Sequence, residues 1–405
     1  MQVVYERCCG VDVHKKTIVA CFKDGKKHEL RQYGTKTKEL KVMADWLLAN
    51  NCEIVAMEST GSFWKPLYNV LEALGLELMV VNAAHMKTVP GRKTDKKDAE
   101  WIADLLQHGL LKASYIPNRE QRELREVSRY RKSLVGERSR EINRLQKMLE
   151  GANIKLSSVV SNINGKSSRR IIAGLVEDQT DEEYLLKAID HSMVHKMPEL
   201  LEAIDRVVTS VQRKLIKAVV NHIDDMTIRI KEMDDIINGE MERYEKALEE
   251  LEKIPGIGRQ SAQTILAEIG IDMTRFPSAG HISSWAGLSP GNNESAGKRG
   301  RGKTTKGNIT LKTTLIQCAR AAVRKKDTFF RVQYDRLVVR RGANRAAVAV
   351  AHSILIAIYN ILKKGVPFRD LGADYYYKFN TERKILTYLN KLKELGWEPT
   401  VTVAS

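Results

Sequence analysis

Between residues 8 and 82, short apolar runs alternate with amphipathic stretches, and this alternation restricts the front of the chain to a mixed sheet covered by helices. Residues 8–13 (CCGVDV) and 17–22 (TIVACF) read as strands, Asp24 and Gly25 as a turn, and residues 28–33 as a third strand pairing back. Leu40, Val42, Met43, Trp46 and Leu47 mark one face of a helix. Residues 53–57 form a short strand that delivers Glu58, and the STG sequence at 59–61 breaks it. Residues 64–74 are helical, and 76–81 form another strand. Ligand sites in such sheets lie beyond strand ends. Asp12 and Glu58 each stand at or just past one.

A second acid pair follows. In PGRKTDKKDA (90–99), Asp95 and Asp98 lie three apart where a loop becomes a helix, hemmed by Arg92, Lys93, Lys96 and Lys97. At that spacing both side chains leave the same side of the first turn. Two close carboxylates resist double ionisation unless a cation joins them, and a hard divalent ion takes such oxygen ligands. The plainer reading is a helix start, with Asp95 as N-cap and Asp98 favoured by the macrodipole. Added to Asp12 and Glu58, the pair completes the ligand inventory of a two-metal phosphoryl-transfer centre.

Charge points to the substrate class. The 405 residues carry a formal net charge of +17, an excess that suits nucleic acid or an anionic membrane surface. Membrane insertion is not expected: the start lacks the apolar core of a signal peptide, and the longest uncharged run, 346–362, falls short of a usual span and reads as a buried helix. The basic excess is concentrated, because residues 298–345 hold fifteen Lys/Arg against two Asp/Glu. That segment reads as a phosphate-backbone surface. The cysteines (Cys8, Cys9, Cys21, Cys52, Cys318) show no metal-type spacing and are expected to be reduced, buried thiols of a cytoplasmic protein.

The middle of the chain is helical. Leu124, Val127, Leu134, Ile142, Leu145 and Leu149 fit a seven-residue repeat, with Arg131 and Arg138 at seam positions. Residues 157–166 read as a polar linker, and 182–190, 198–221 and 223–253 as helices, the last as an exposed coiled-coil arm. At IPGIG (254–258), a tight turn between two helices resembles a helix-hairpin-helix element. Gly256 and Gly258 there serve phosphate contact or close helix packing. The basic, Gly-rich segment 291–303 reads as a mobile loop holding Ser295. Tyr375, Tyr376 and Tyr377 either stack on bases or pack.

The sequence as a whole resembles a known family. GVD (10–12), MESTG (57–61) and KTDKKDA (93–99) look like the RuvC-like (RNase H-like) α/β domain of bridge-RNA-guided DEDD transposases of bacterial insertion sequences. IPGIG, WAGLSP (285–290), Glu294-Ser295, Lys306-Gly307 and GVPF (365–368) are similar to the second domain of that family. The resemblance implies four metal-binding acids, Asp12, Glu58, Asp95 and Asp98, holding Mg²⁺, and a nucleophilic Ser295, with Ser289, Thr304 and Thr305 as alternative hydroxyls. It implies an RNA-guided recombinase that cleaves and rejoins DNA through a phosphoserine intermediate. Lys298, Arg299, Arg301, Lys303 and Lys306 steady the DNA backbone. Double-stranded donor and target DNA, a structured guide RNA and further copies of the chain, as dimer or tetramer, are the implied partners. The acid domain of one protomer works with the serine domain of another.

The expected organisation is a RuvC-like domain (1–115), a helical coiled-coil arm and linker (116–250), a mainly α serine-bearing domain (251–368) and a tail (369–405). No zinc finger, basic zipper or RNP signature is visible, and the guide RNA that the resemblance implies would supply sequence choice by base pairing. Two rivals stand beside this reading: a metal-dependent junction-resolving nuclease without a serine nucleophile, and a non-catalytic RNA/DNA scaffold.

Overall fold

Strands β1 (Arg7–Val13), β2 (Thr17–Asp24) and β3 (Lys27–Gly34) form an antiparallel meander, and β4 (Ile54–Glu58) and β5 (Glu77–Val81) extend it in parallel. The sheet order is β3-β2-β1-β4-β5. The computed structural model describes residues 2–59, 61–82, 95–205, 208–290, 294–295, 298–299 and 304–397. The chain divides into two compact units, Met1–Arg119 and Glu120–Ser405.

In the first unit, β1 and β4 are apolar on both faces because both faces are covered. Cys9, Val11, Val55 and Met57 pack against Leu40, Met43 and Leu47 of α1 (Thr37–Ala49) and Leu67 and Leu71 of α2 (Trp64–Ala73). Val42, expected on that apolar face, points outward instead. Cys8, Ile54 and Ala56 meet Ile102 and Leu106 of α3 (Asp95–Gln107) on the other side. Gly10 decides how close α3 comes: a Cβ there would stand 2.2 Å from the Ala103 amide nitrogen and 2.5 Å from the Ala99 carbonyl oxygen. The far end of α3 is tied down by an ion pair between Lys23 and Asp104. Two hydrogen bonds complete the anchor, from Gln107 Nε2 to the Gly25 carbonyl (2.7 Å) and from the Val4 amide to the Gln107 carbonyl (2.8 Å).

All five cysteines are free and buried. Burial pushes the thiols of Cys8 and Cys52 from 9.0 up to about 12 and that of Cys21 to about 11. Cys9 and Cys318 shift the same way. The neutral thiol is therefore favoured in the folded state. Its stabilisation is complete below 9.0, the ordinary thiol value, and is lost as pH rises through the folded values near 11 and 12. Alkylation with iodoacetamide at pH 8 should leave all five unmodified in the native protein and label all five after denaturation. A native thiol that reacts as fast as a free one would contradict this packing.

The second unit is helical. Helices α4 (Arg119–Gly151) and α9 (Ser210–Met241) run antiparallel. Cross-contacts between them join Arg131 to Asp234 and Arg138 Nη1 to Thr227 Oγ1 (3.2 Å), and bring Glu141 to 3.8 Å from His222. Both seam arginines thus bind across a coiled-coil-like pair formed within one chain. Leu124, Leu134, Leu145 and Leu149 are buried on one helix, and Ile223, Met226, Ile230 and Ile237 on the other. The second helix is therefore a packed partner where an exposed arm was expected. It also runs unbroken through Asn221 and His222, since Val219, Ile223 and Met226 keep helical spacing.

Residues 157–166 are not a free linker. A single turn, α5 (Leu156–Val159), starts the segment, and Val159, Val160 and Ile163 enter a core with Ile171 and Ile172 of α6 (Lys166–Glu177). Helices α7 (Glu182–Ala188) and α8 (Met197–Ile204) close that core through Leu185, Leu200 and Ile204.

Helices α10 (Glu245–Glu252), α12 (Ala279–Trp285), α13 (Ile309–Ala322) and α14 (Phe329–Arg341) surround α15 (Ala343–Lys364), and α11 (Arg259–Ile269) packs on α10 and α13. By length and composition α15 could cross a membrane. Ala347, Val350, Ile354, Leu355 and Ile358 are nonetheless buried inside this unit, as expected of a core helix. Tyr375 and Tyr376 open α16 (Tyr375–Glu394) and pack on Phe329, while the Arg336 guanidinium lies 4.5 Å from the Tyr376 ring centre. These two tyrosines are occupied by packing.

Candidate active site

Asp12 and Glu58 reach one face of the sheet through strand register. Parallel pairing sets Cys8 beside Ile54, Gly10 beside Ala56 and Val11 beside Met57, so the next pair is Asp12 and Glu58. Side chains alternate along a strand. Cys8, Ile54 and Ala56 face α3, and Asp12 and Glu58 therefore share that face. Asp12 is only 6% exposed, and Glu58 is half-buried at the strand end. His14 Nε2 lies 3.0 Å from Asp12 Oδ2.

Helix α3 supplies the other pair. Ala99 and Ala103 lie over Gly10, and Gln107 bonds to Val4, so the helix points its first turn toward the Asp12 end of β1. Asp95 is the first residue of that turn and Asp98 lies three further on, half-buried. The side chains of Asp95 and Lys96, and all of Arg92 and Lys93, lie outside the described residues. Lys97 is exposed. Among the described residues, no three His, Cys, Asp or Glu side chains are grouped closely enough to hold a metal ion. In chemistry the set fits a hard divalent cation, because all four candidates are carboxylates. A carboxylate as buried as Asp12 needs a partner to offset its lost hydration.

The serine segment forms a ribbon where a loop was expected. Strand β6 (Glu294–Ser295) pairs antiparallel with β7 (Lys298–Arg299), with Ser295 opposite Lys298 and Glu294 opposite Arg299. Arg301 and Lys303 lie outside the described residues, and Lys306 is exposed. The base of the ribbon is fastened by a bridge between Pro290 and Thr304. Hydrogen bonds donated by the Thr305 amide to the Ser289 carbonyl (3.2 Å) and by the Asn308 amide to the Trp285 carbonyl (3.1 Å) fasten it further. Gly287 and Gly307 permit the approach: a Cβ on Gly307 would stand 2.3 Å from the Gly287 nitrogen. Two of the alternative hydroxyls are used here. Thr304 Oγ1 accepts from Lys312 Nζ (2.5 Å), and Thr305 Oγ1 donates to the Ser284 carbonyl (3.3 Å).

At the IPGIG turn, Gly256 has φ +85°, and a Cβ would stand 2.2 Å from the Cys318 carbonyl oxygen, so close packing on α13 accounts for this glycine. Gly258 is the N-cap of α11, with open space around the Cβ position. The first cation of that helix, Arg259, is paired with Glu245 and lies 3.8 Å from Glu252.

Sequence reasoning missed one group entirely. Glu268 has no exposed side-chain surface and binds both nitrogens of an Arg129 fork, at 2.7 and 2.8 Å, together with Asn308 Nδ2 at 2.6 Å. A lone carboxylate inside the apolar helix AQTILAEI (262–269) was the available signal.

Comparisons with known proteins converge on one assignment. Residues 9–154 match the DEDD-type IS110 family model described as "Transposase". Residues 248–335 match the model described as "Transposase IS116/IS110/IS902 family". The transposase for insertion sequence element IS1111A of Coxiella burnetii is 23% identical over 372 residues, 89% of this chain and 87% of that protein. A probable family 20 transposase of Pseudomonas aeruginosa is 24% identical over 324 residues, 78% of this chain and 86% of that protein. The first family match spans the sheet and its acids, the second spans the ribbon and its serine, and the chain belongs to the IS110 family of insertion-sequence transposases.

Proposed function

We propose that the chain is an RNA-guided recombinase that cleaves and rejoins DNA through a covalent bond to Ser295, assisted by a RuvC-like acid cluster. The observation that carries this reading is the shared sheet face of Asp12 and Glu58 under the helix that opens with Asp95 and carries Asp98. The strand order β3-β2-β1-β4-β5, an antiparallel meander extended by two parallel strands, supports the RuvC-like assignment. In this reading residues 116–250 are the arm, 251–368 the serine-bearing domain and 369–405 a tail.

Asp12, Glu58, Asp95 and Asp98 would hold a divalent ion, Mg²⁺ in this reading, which when bound supplies neutralising charge at the scissile phosphate. The chain's own groups do the rest. Ser295 Oγ forms a bond to phosphorus, one phosphorus–oxygen bond to deoxyribose breaks, the serine proton departs and the leaving oxygen gains one. Reversal on a new end restores the hydroxyl, so bond energy is conserved and no redox partner is needed. Lys298, Arg299, Arg301, Lys303 and Lys306 hold the phosphate backbone. Sequence choice rests with a guide RNA, and donor and target DNA meet on a dimer or tetramer in the cytoplasm.

The test is to trap the intermediate. Incubation with end-labelled donor DNA, guide RNA and Mg²⁺, followed by denaturation and peptide mapping, should find DNA esterified to the Ser295 peptide. Efficient strand cleavage with label on no peptide would favour the metal-only nuclease.

A further inference from the structure

We propose that the buried Glu268 cluster is a positioning device for the Ser295 ribbon. The inference rests on the reading of Ser295 as nucleophile and adds residues to it.

The ribbon-bearing segment leaves the helical core at Trp285 and returns at Asn308. Both feet attach to one cluster. At the return, Asn308 makes three contacts in three directions. Its Nδ2 donates to Glu268 Oε2 at 2.6 Å. Its Oδ1 accepts from the Leu311 amide at 3.0 Å, capping α13, and its own amide donates to the Trp285 carbonyl at 3.1 Å. At the departure, the Arg125 guanidinium lies 5.5 Å from the Trp285 ring centre, and Arg125 Nε lies 3.5 Å from Glu268 Oε2. Arg129 holds the same carboxylate through a two-point fork. One carboxylate therefore joins α4, α11 and both feet.

A plain packing role does not require this arrangement. Apolar side chains of similar volume join helices at least as well as a buried ion pair, whereas fixed donor and acceptor directions specify orientation. Planar fork and amide geometries do so here. Orientation matters because the ribbon is a lever. Ser295 is five residues past Pro290, one of the two bridged residues at the base, so chain length allows it to stand up to about 17 Å from that bridge. A tilt of about 5° at the base then moves Ser295 by up to roughly 1.5 Å. Misplacement of a reacting group by about 1 Å can cost about a hundredfold in rate.

The experiment uses Asn308→Ser in the full-length protein with guide RNA. Serine keeps the capping oxygen of α13 but is too short to reach Glu268. Glu268→Gln is the second variant, neutral and of the same shape, and keeps the conclusion testable if the first fails to fold. Melting temperature, DNA affinity by gel shift and the rate of Ser295–DNA adduct formation at saturating DNA are measured for each. The expected result is a rate at least about tenfold lower, with affinity unchanged, below the melting temperature. A folded variant with the wild-type adduct rate, or one altered only in melting temperature or affinity, overturns the positioning role while leaving the nucleophile intact. Failure of the wild-type protein to form any Ser295 adduct overturns both.

Discussion

Replacing Ser295 by alanine should abolish the covalent protein–DNA adduct and lower strand cleavage and rejoining by about 10⁴-fold or more, with DNA binding retained. The size of the effect follows from what remains at the ribbon. The two nearby threonines cannot substitute freely. Thr304 accepts from Lys312 and Thr305 donates to the Ser284 carbonyl, so recruiting either would open the ribbon base. Lys298, opposite Ser295 in the ribbon, can hold phosphate but, as a cation, supplies no hydroxyl. Water could still attack under the acid cluster, giving free ends that cannot rejoin. The decisive comparison is therefore between products. On a denaturing gel with labelled DNA and Mg²⁺, Ser295→Ala should give neither adduct nor recombinant, whereas Asp12→Asn should lose cleavage by any route. Full cleavage by Ser295→Ala, with no adduct from the wild type, would sink the serine reading and favour a junction-resolving nuclease.

That experiment depends on two stretches that were not equally legible. The sheet was readable because its strands are short, apolar and separated by strong turn signals. Residues 8–13 and 17–22 predicted strands that the structure extends by one or two residues at an end. The acids stood out as charges at the ends of runs that otherwise exclude charge. The segment 157–166 misled because its polar residues outnumber Val159, Val160 and Ile163, yet those three suffice to bury it. The basic segment around Ser295 read as a loop because glycines and cations carry no strand periodicity, and its pairing is set by backbone bonds at the base. Glu268 was invisible for a different reason. Its partners lie 139 and 40 residues away in sequence, and no local pattern encodes such a meeting. Gly10 belonged to a recognised motif, but its role became evident only with a helix lying across it.

Gly10→Ala should be the most damaging single methyl group in the first unit. The added Cβ would stand 2.2 Å from the Ala103 nitrogen and 2.8 Å from its Cα, where carbon contacts prefer about 3.5 Å or more. Both nearest atoms are backbone, so no side-chain rotation relieves the clash. Strand β1 cannot retreat either, since it is hydrogen-bonded to β2 on one side and β4 on the other. Helix α3 must therefore lift by roughly 1 Å, leaving its contacts with Cys8, Ile54 and Ala56. Overpacking of this kind costs about 2–3 kcal/mol, measurable as a lower urea midpoint. Catalysis should suffer more than folding, because the lifted helix carries Asp95 and Asp98 away from Asp12 and Glu58. DNA cleavage should fall roughly a hundredfold in protein that is still folded. Gly239→Ala is the control: the site is helical with open space at the Cβ position, and the change should be neutral or stabilising by up to about 1 kcal/mol. Equal behaviour of the two variants would mean that α3 does not lie against β1 in solution, and the shared face for the acids would go with it.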